Sequence, residues 1–173
     1  KRLEDLLNVY LAGNYTRPVR LMVQGSTMHA EDAAEFERII AAHEGKGITF
    51  LHRGLIGAEW QRAIADMDAL LLPYSAPRYR YHWGAMLFTA IGFQKPVLTS
   101  DDMNPEVFER FSIGMTFPSG NMTALGAALE TFINEYDSRA PRWHEALHCA
   151  ADEYAPARFA AHIMEIIKPH SKA

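Results

Sequence analysis

The chain has 173 residues, 49% of them hydrophobic and 22% charged. That is ordinary for a globular domain, too apolar for disorder, and long enough to bury a core. A net charge of −4 argues against nucleic acid as the main partner. The single cysteine, Cys149, excludes an internal disulfide, and no apolar run approaches the roughly 18–20 residues of a bilayer span.

The opening stretch, "KRLEDLLNVYLAGNYTRP", has no uninterrupted apolar segment of the signal-peptide kind. Leu3, Leu6, Leu7, Tyr10 and Leu11 share one helical face, so it predicts an amphipathic helix. A helix that begins uncapped at residue 1 leads us to expect that the chain opens mid-domain, with an N-terminal strand and a further domain before it. "VRLMVQG" (19–25) predicts a strand ending in glycine, and "EDAAEFERIIAAHEG" (31–45) a helix closed by Gly45. "ITFLHRG" (48–54) predicts the next strand, "AEWQRAIADM" (58–67) a helix and "ALLLP" (69–73) a buried strand. "GAMLFTAIGF" (84–93) is apolar nearly all round, which fits a helix packed on several sides.

"PVLTS" (96–100) then predicts a strand, with a short helix after Asn104-Pro105 and a strand at "GMTF" (114–117). Asn121 is a good N-cap for a helix carrying Leu125, Leu129, Phe132, Ile133 and Tyr136. Two more helices, over 142–153 and 156–167, close the chain. Strands and helices that alternate in this way predict an α/β domain, a doubly wound, Rossmann-like parallel sheet. In such a sheet ligands bind beyond the strand carboxyl ends. Four loops qualify: Gly25-Ser26-Thr27, His52-Arg53-Gly54, the stretch after Pro73, and Ser100-Asp101-Asp102. Aspartates after a strand also suit a helix-start turn, and we expect no metal there.

Residues 70–109 carry the most chemistry. A strand leads into a loop, and Gly84 opens the apolar helix. The free N–H groups and dipole of a helix start favour an anion. Arg78, Arg80 and His82 precede it, and Tyr79, Tyr81 and Trp83 offer rings for a base or sugar. Together they suit a phosphate or diphosphate. The competing interpretation is a surface loop with solvated arginines and aromatics packed beneath it.

The order "LLPY", "HWG", "TAI", "QKPVLTSD", "PEVF", followed by "GMTFPSGNMTALGAAL", resembles the C-terminal half of a GT-B-fold glycosyltransferase. It is close to retaining family 4, glycosyl transferases group 1. The resemblance extends to residue 1, where Lys1 stands in place of the family's lysine. It implies a sugar transferred, with retention, from a nucleoside-diphosphate sugar to a glycan or lipid-linked acceptor. It also implies an N-terminal GT-B domain as partner, no cofactor, and a cytoplasmic site of action at or near the inner membrane face. The implied donor site comprises the helix-opening amides of Gly84, Ala85 and Met86, with Arg78, Arg80 and Lys1 as cations. The backbone of Arg53, Gly54 and Leu55 would line the base, with Gly25 in a neighbouring loop and Thr89 facing the ribose. The family's two glutamates fall at Tyr81 and Thr89, neither acidic. That departure keeps open an inactive GT-B-like binding or assembly domain. No catalytic residue is identifiable.

One further string competes. "HEALH" (144–148) is H-E-x-x-H, which on a helix places His144 and His148 on one face with Glu145 as general base of a zinc hydrolase. The chain supplies no third ligand at metzincin spacing, and Glu165 is distant in sequence. Trp143, Leu147, Ala150 and Tyr154 give this helix its own apolar face, so a packing helix is expected. The string arises in roughly 3 per cent of shuffled chains of this composition.

Overall fold

The computed structural model describes residues 3–82 and 84–167. Helix α1 (Leu3–Ala12) leads to β1 (Leu21–Gly25), α2 (Ala30–His43), β2 (Ile48–His52) and α3 (Gly57–Ala65). Then come β3 (Leu70–Leu72), a 3-10 turn over Pro77–Arg80, α4 (Ala85–Gly92), β4 (Val97–Ser100) and α5 (Pro105–Arg110). β5 (Gly114–Phe117), α6 (Met122–Asn134), α7 (Tyr136–Glu153) and α8 (Pro156–Ile167) follow. Every strand pairing is parallel: β1 with β2 in one sheet, and β3-β4-β5 in another. The predicted α/β alternation is therefore present, in two hydrogen-bonded pieces.

β4 is buried at all four residues. Successive side chains of a strand point to opposite faces, and the core divides accordingly. Leu98 joins a cluster with Leu7 of α1 and Leu125, Leu129 and Phe132 of α6. Val97 joins a second cluster with Leu87 and Ile91 of α4 and Leu147 of α7. Helices thus cover both faces of this sheet. The hydroxyl of Tyr10 donates between the carbonyls of Val19 (3.2 Å) and Gly47 (3.1 Å), tying α1 to the start of both β1 and β2.

Asn121 caps α6 as expected, its side chain accepting from Ala124 N–H at 2.9 Å. Two boundaries differ from expectation. α7 begins at Tyr136 rather than 142, so Pro141 lies inside it, and Tyr136 belongs to α7 and not to α6. Proline removes the bond to the carbonyl four residues back. Tertiary packing overrides that loss here: Ala140 and Trp143 are buried, and Trp143 stacks on Phe132 with ring centres 4.7 Å apart. The last helix, α8, buries none of its residues, and Phe159, Met164 and Ile166 are exposed along it.

Trp143 is 2% exposed at the junction of α6 and α7. Trp143→Ala should cost about 3–5 kcal/mol of unfolding free energy, measured by urea denaturation.

Candidate functional site

The expected residues fall into two groups, one at the carboxyl end of each sheet. On the smaller sheet, Gly25 ends β1 opposite His52 of β2. A Cβ at Gly25 would meet nothing within 4 Å, so the backbone there borders open space. Arg53 is more committed than the sequence suggests. Its guanidinium pairs with Glu59, its N–H donates to Leu51 C=O at 2.9 Å, and its own C=O accepts from Gln24 Nε2 at 2.8 Å. Of this loop, Gly54 and Leu55 remain the better candidates for meeting a ligand through their backbone. Beside them, the His52 ring is held between Glu37 Oε1 (2.6 Å) and Thr27 Oγ1 (3.3 Å), a cluster that the sequence pattern did not single out.

On the larger sheet, the loop after Pro73 turns through the 3-10 segment and delivers the chain to α4 at Gly84. Gly84 C=O accepts from Leu87 N–H (2.8 Å) and Phe88 N–H (3.1 Å), which starts the helix. The amides of Gly84, Ala85 and Met86 belong to the first turn, where an α-helix offers them no carbonyl of its own. Ala85 is exposed, Met86 half-buried, and Thr89 lies on the same face one turn on. Tyr81 is 90% exposed. Lys1 and Trp83 lie outside the described residues.

The arginines do not stand as two unpaired cations. Arg80 Nε is 3.2 Å from Asp102 Oδ1. The Arg78 guanidinium lies 5.1 Å over the neighbouring Tyr79 ring and 3.3 Å from its hydroxyl. The Asp102 carboxyl is held below its ordinary value, by hydrogen bonding from Ser119 first and by Arg80 next. It therefore keeps its charge, and the pair with Arg80, throughout the neutral range. One of the two cations at this loop is thus matched by a carboxylate.

A residue outside the expected site organises this corner. Asn104 adopts a left-handed conformation (φ 43°, ψ 61°), which asparagine tolerates better than most residues. Its N–H donates to Tyr79 C=O (3.3 Å) and its Nδ2 to His82 C=O (3.0 Å), so it clasps the loop from below. Its buried Oδ1 has no hydrogen-bond partner among the described residues. A buried polar atom of this kind is one that a ligand hydroxyl or ordered water commonly satisfies. The signal was Asn before Pro, a turn-forming pair, which fixed the position of α5 but said nothing of what Asn104 would hold.

The same geometry gives Gly84 a structural role. A Cβ there would overlap Asn104 Oδ1 and come within 2.8 Å of Met103 Sδ. Asn104 and Met103 are both buried. Gly84→Ala is therefore expected to lower unfolding stability by about 1–3 kcal/mol with no ligand present, as overpacking does. A denaturant melt of the unliganded protein checks this.

The zinc string is not assembled into a site. His144, Glu145 and His148 are exposed on α7, while Trp143, Leu147 and Ala150 turn inward. Among the described residues no group of three His, Cys, Asp or Glu is placed to hold a metal ion. No described helix is long and apolar enough to cross a membrane. Replacing both histidines by alanine should move stability by less than about 0.5 kcal/mol, as for surface positions generally. EDTA should leave the melting curve of the unaltered chain where it is.

No protein-family model matches the chain, and no curated protein sequence matches it. Solved structures do. HepE of Anabaena in complex with UDP superposes with a TM-score of 0.74 at 18% identity, over 95% of this chain and 44% of that one. The chain has the Rossmann-like fold of a C-terminal GT-B domain. Sucrose-phosphate synthase of Thermosynechococcus elongatus gives a TM-score of 0.64 at 15% identity, over 94% of this chain and 41% of that one. The lipopolysaccharide outer core galactosyltransferase WaaB, in its apo form, gives 0.63 at 18% identity, over 96% and 44%. The chain thus spans less than half the length of these GT-B proteins.

Proposed function

We propose that this GT-B domain is the donor-binding part of a glycosyltransferase that moves a sugar from a nucleoside-diphosphate sugar to a glycan or glycolipid acceptor, with retention. The observation that carries the proposal is the start of α4. Its first-turn amides open at the carboxyl ends of β3 and β4, where a doubly wound sheet receives its ligands. The fold around it is shared with HepE, which was solved with UDP, with UDP and glucose, and with UDP-glucose.

In this proposal, sugar transfer leaves negative charge on the departing diphosphate. The amides of Gly84, Ala85 and Met86 are fixed donors aimed at that charge and need no reorganisation when it develops. Loss of one such donor typically costs about 3–4 kcal/mol of transition-state stabilisation. On this reading Arg80, paired with Asp102, and Arg78, beside Tyr79, supply the cations. Gly54 and Leu55 line the base through their backbone, and the Thr89 hydroxyl faces the ribose. Lys1 adds a further cation by family resemblance. The acceptor site and the group that receives the acceptor proton belong to an N-terminal GT-B domain. Work at the cytoplasmic membrane face follows from a lipid-linked acceptor.

A second reading also has an observation behind it. Tyr81 is 90% exposed, and its hydroxyl and that of Thr89 stand where the resembled family carries carboxylates. On that reading the domain binds nucleotide without transferring sugar.

Thermal denaturation with UDP, UDP-glucose and other nucleoside diphosphates tests both. A nucleotide at one hundred times its dissociation constant should add about 2.7 kcal/mol of stability. Arg80→Ala and Thr89→Ala should each reduce that gain, with a change of at most about 1 kcal/mol in unliganded stability for Arg80→Ala from its lost pair with Asp102. Nucleotide release from the sugar donor by the full-length protein separates transferase from binding domain. No stabilisation by any nucleotide, in either the domain or the full-length protein, refutes the donor-site proposal.

A further inference from the structure

The loops that follow β1 and β2 leave the smaller sheet side by side, because Gly25 and His52 are register partners at its carboxyl end. Gln24 Nε2 donates across them to Arg53 C=O at 2.8 Å, and a Cβ at Gly54 would lie 3.9 Å from Ser26 Oγ. Thr27 and His52 therefore adjoin the backbone at Gly54 and Leu55, the stretch assigned above to the base.

The His52 ring is fixed at both nitrogens and packs on Phe36 of α2, with ring centres 4.5 Å apart and planes at 71°. Nδ1 lies 2.6 Å from Glu37 Oε1, and Nε2 lies 3.3 Å from Thr27 Oγ1. A carboxylate only accepts, so Nδ1 carries the proton. In the neutral ring Nε2 is then an acceptor, and the Thr27 hydroxyl donates to it. A free threonine can turn either a donor or an acceptor to a ligand. Here the hydrogen is already committed to His52, so the half-buried Thr27 presents only its oxygen lone pairs.

As a stabilising contact this chain of groups is weak, because Glu37 is exposed to solvent. As a device that orients one hydroxyl it is complete, and it lies at the strand ends where a doubly wound sheet binds its ligand. We propose, on the donor-site reading above, that Thr27 accepts a hydrogen bond from an N–H of the nucleobase. His52 and Glu37 are positioning residues that hold the Thr27 oxygen in that role. Each common base has such a donor on its pairing edge: a ring N–H in uracil and guanine, an amino group in cytosine and adenine. A base-free ribose diphosphate has none.

Calorimetric binding of UDP, GDP, ADP and CDP to the full-length protein, with base-free ribose 5-diphosphate as control, tests the assignment. Thr27→Val keeps the shape and removes the hydroxyl. It should weaken the best-bound nucleotide by about 3–10-fold and ribose 5-diphosphate by less than about 2-fold. Thr27→Ser should bind as the unaltered protein does. Glu37→Gln still accepts from Nδ1–H and should retain affinity, whereas Glu37→Leu releases the ring and should match Thr27→Val. Glu37 is exposed, so its two variants decide the matter should Thr27→Val fail to fold. Nucleotide and ribose 5-diphosphate weakened alike, or unchanged affinity in Thr27→Val and Glu37→Leu, would overturn the proposal while leaving the donor site in place. Binding of none of the four nucleotides overturns the donor-site reading, and this assignment with it.

Discussion

β4 is the strand on which the described structure turns. A parallel strand satisfies its peptide groups only when it has a neighbour on each side, and β4 has β3 and β5. Its side chains then have to fill two cores at once, which is why "VLTS" contains no charged residue and sends Val97 and Leu98 to opposite faces. Even its polar residues look inward. Thr99 Oγ1 donates to Leu72 C=O at 2.9 Å, and Ser100 Oγ donates to Tyr74 C=O, so β4 steers the chain as it leaves β3. The loop bearing Arg78 and Arg80 begins from a position that β4 dictates.

From the end of β4 the constraint passes to the site. Asp101 Oδ1 accepts from Ser119 N–H at 2.8 Å, Asp102 holds Arg80, and Asn104 holds the carbonyls of Tyr79 and His82. Asn104 must press against the start of α4 to reach those carbonyls, and only a residue without a side chain leaves it room. Gly84 is thus fixed by packing before any ligand arrives. This matters for interpreting substitutions there. A bulky residue at 84 loses stability and ligand together, whereas Thr89 and Arg80 report on the ligand with less disturbance of the core.

The sequence was most legible where a short apolar run is bounded by turn residues. The five strands of the described residues match the expected ones within two residues, and "GMTF" matches at both ends, because continuous apolar runs of this length have few alternatives in an α/β chain. The start of α7 was not, since Pro141 is a strong local break and only the stacking of Trp143 on Phe132 outweighs it. At the site, the α4 opening was visible as glycine before an apolar helix. The ion pair of Arg80 with Asp102 was not, because the partners are 22 residues apart and meet only through the β3–β4 pairing. Asn104 escaped for the same reason: its partners at 79 and 82 lie across a strand and a helix. H-E-x-x-H shows the converse. A spacing that puts two histidines on one helical face says nothing about a third ligand, and the fold supplies none among the described residues.

Cavity size and chemistry also separate in this fold. A channel of roughly 660 Å³ is lined by Arg17 to Met22 and by Asp66 to Leu71, the residues that enter β1 and β3. It therefore sits toward the amino ends of the strands, whereas the α4 opening, Gly25 and Gly54 sit at their carboxyl ends. Helix dipoles and unpaired first-turn amides gather at the carboxyl ends of a parallel sheet, where each crossover helix begins. The amino ends offer carbonyls and apolar walls, which repel a phosphate. The roughly 660 Å³ space thus lies between the two sheets, and the start of α4 has first-turn amides of the kind that favour an anion.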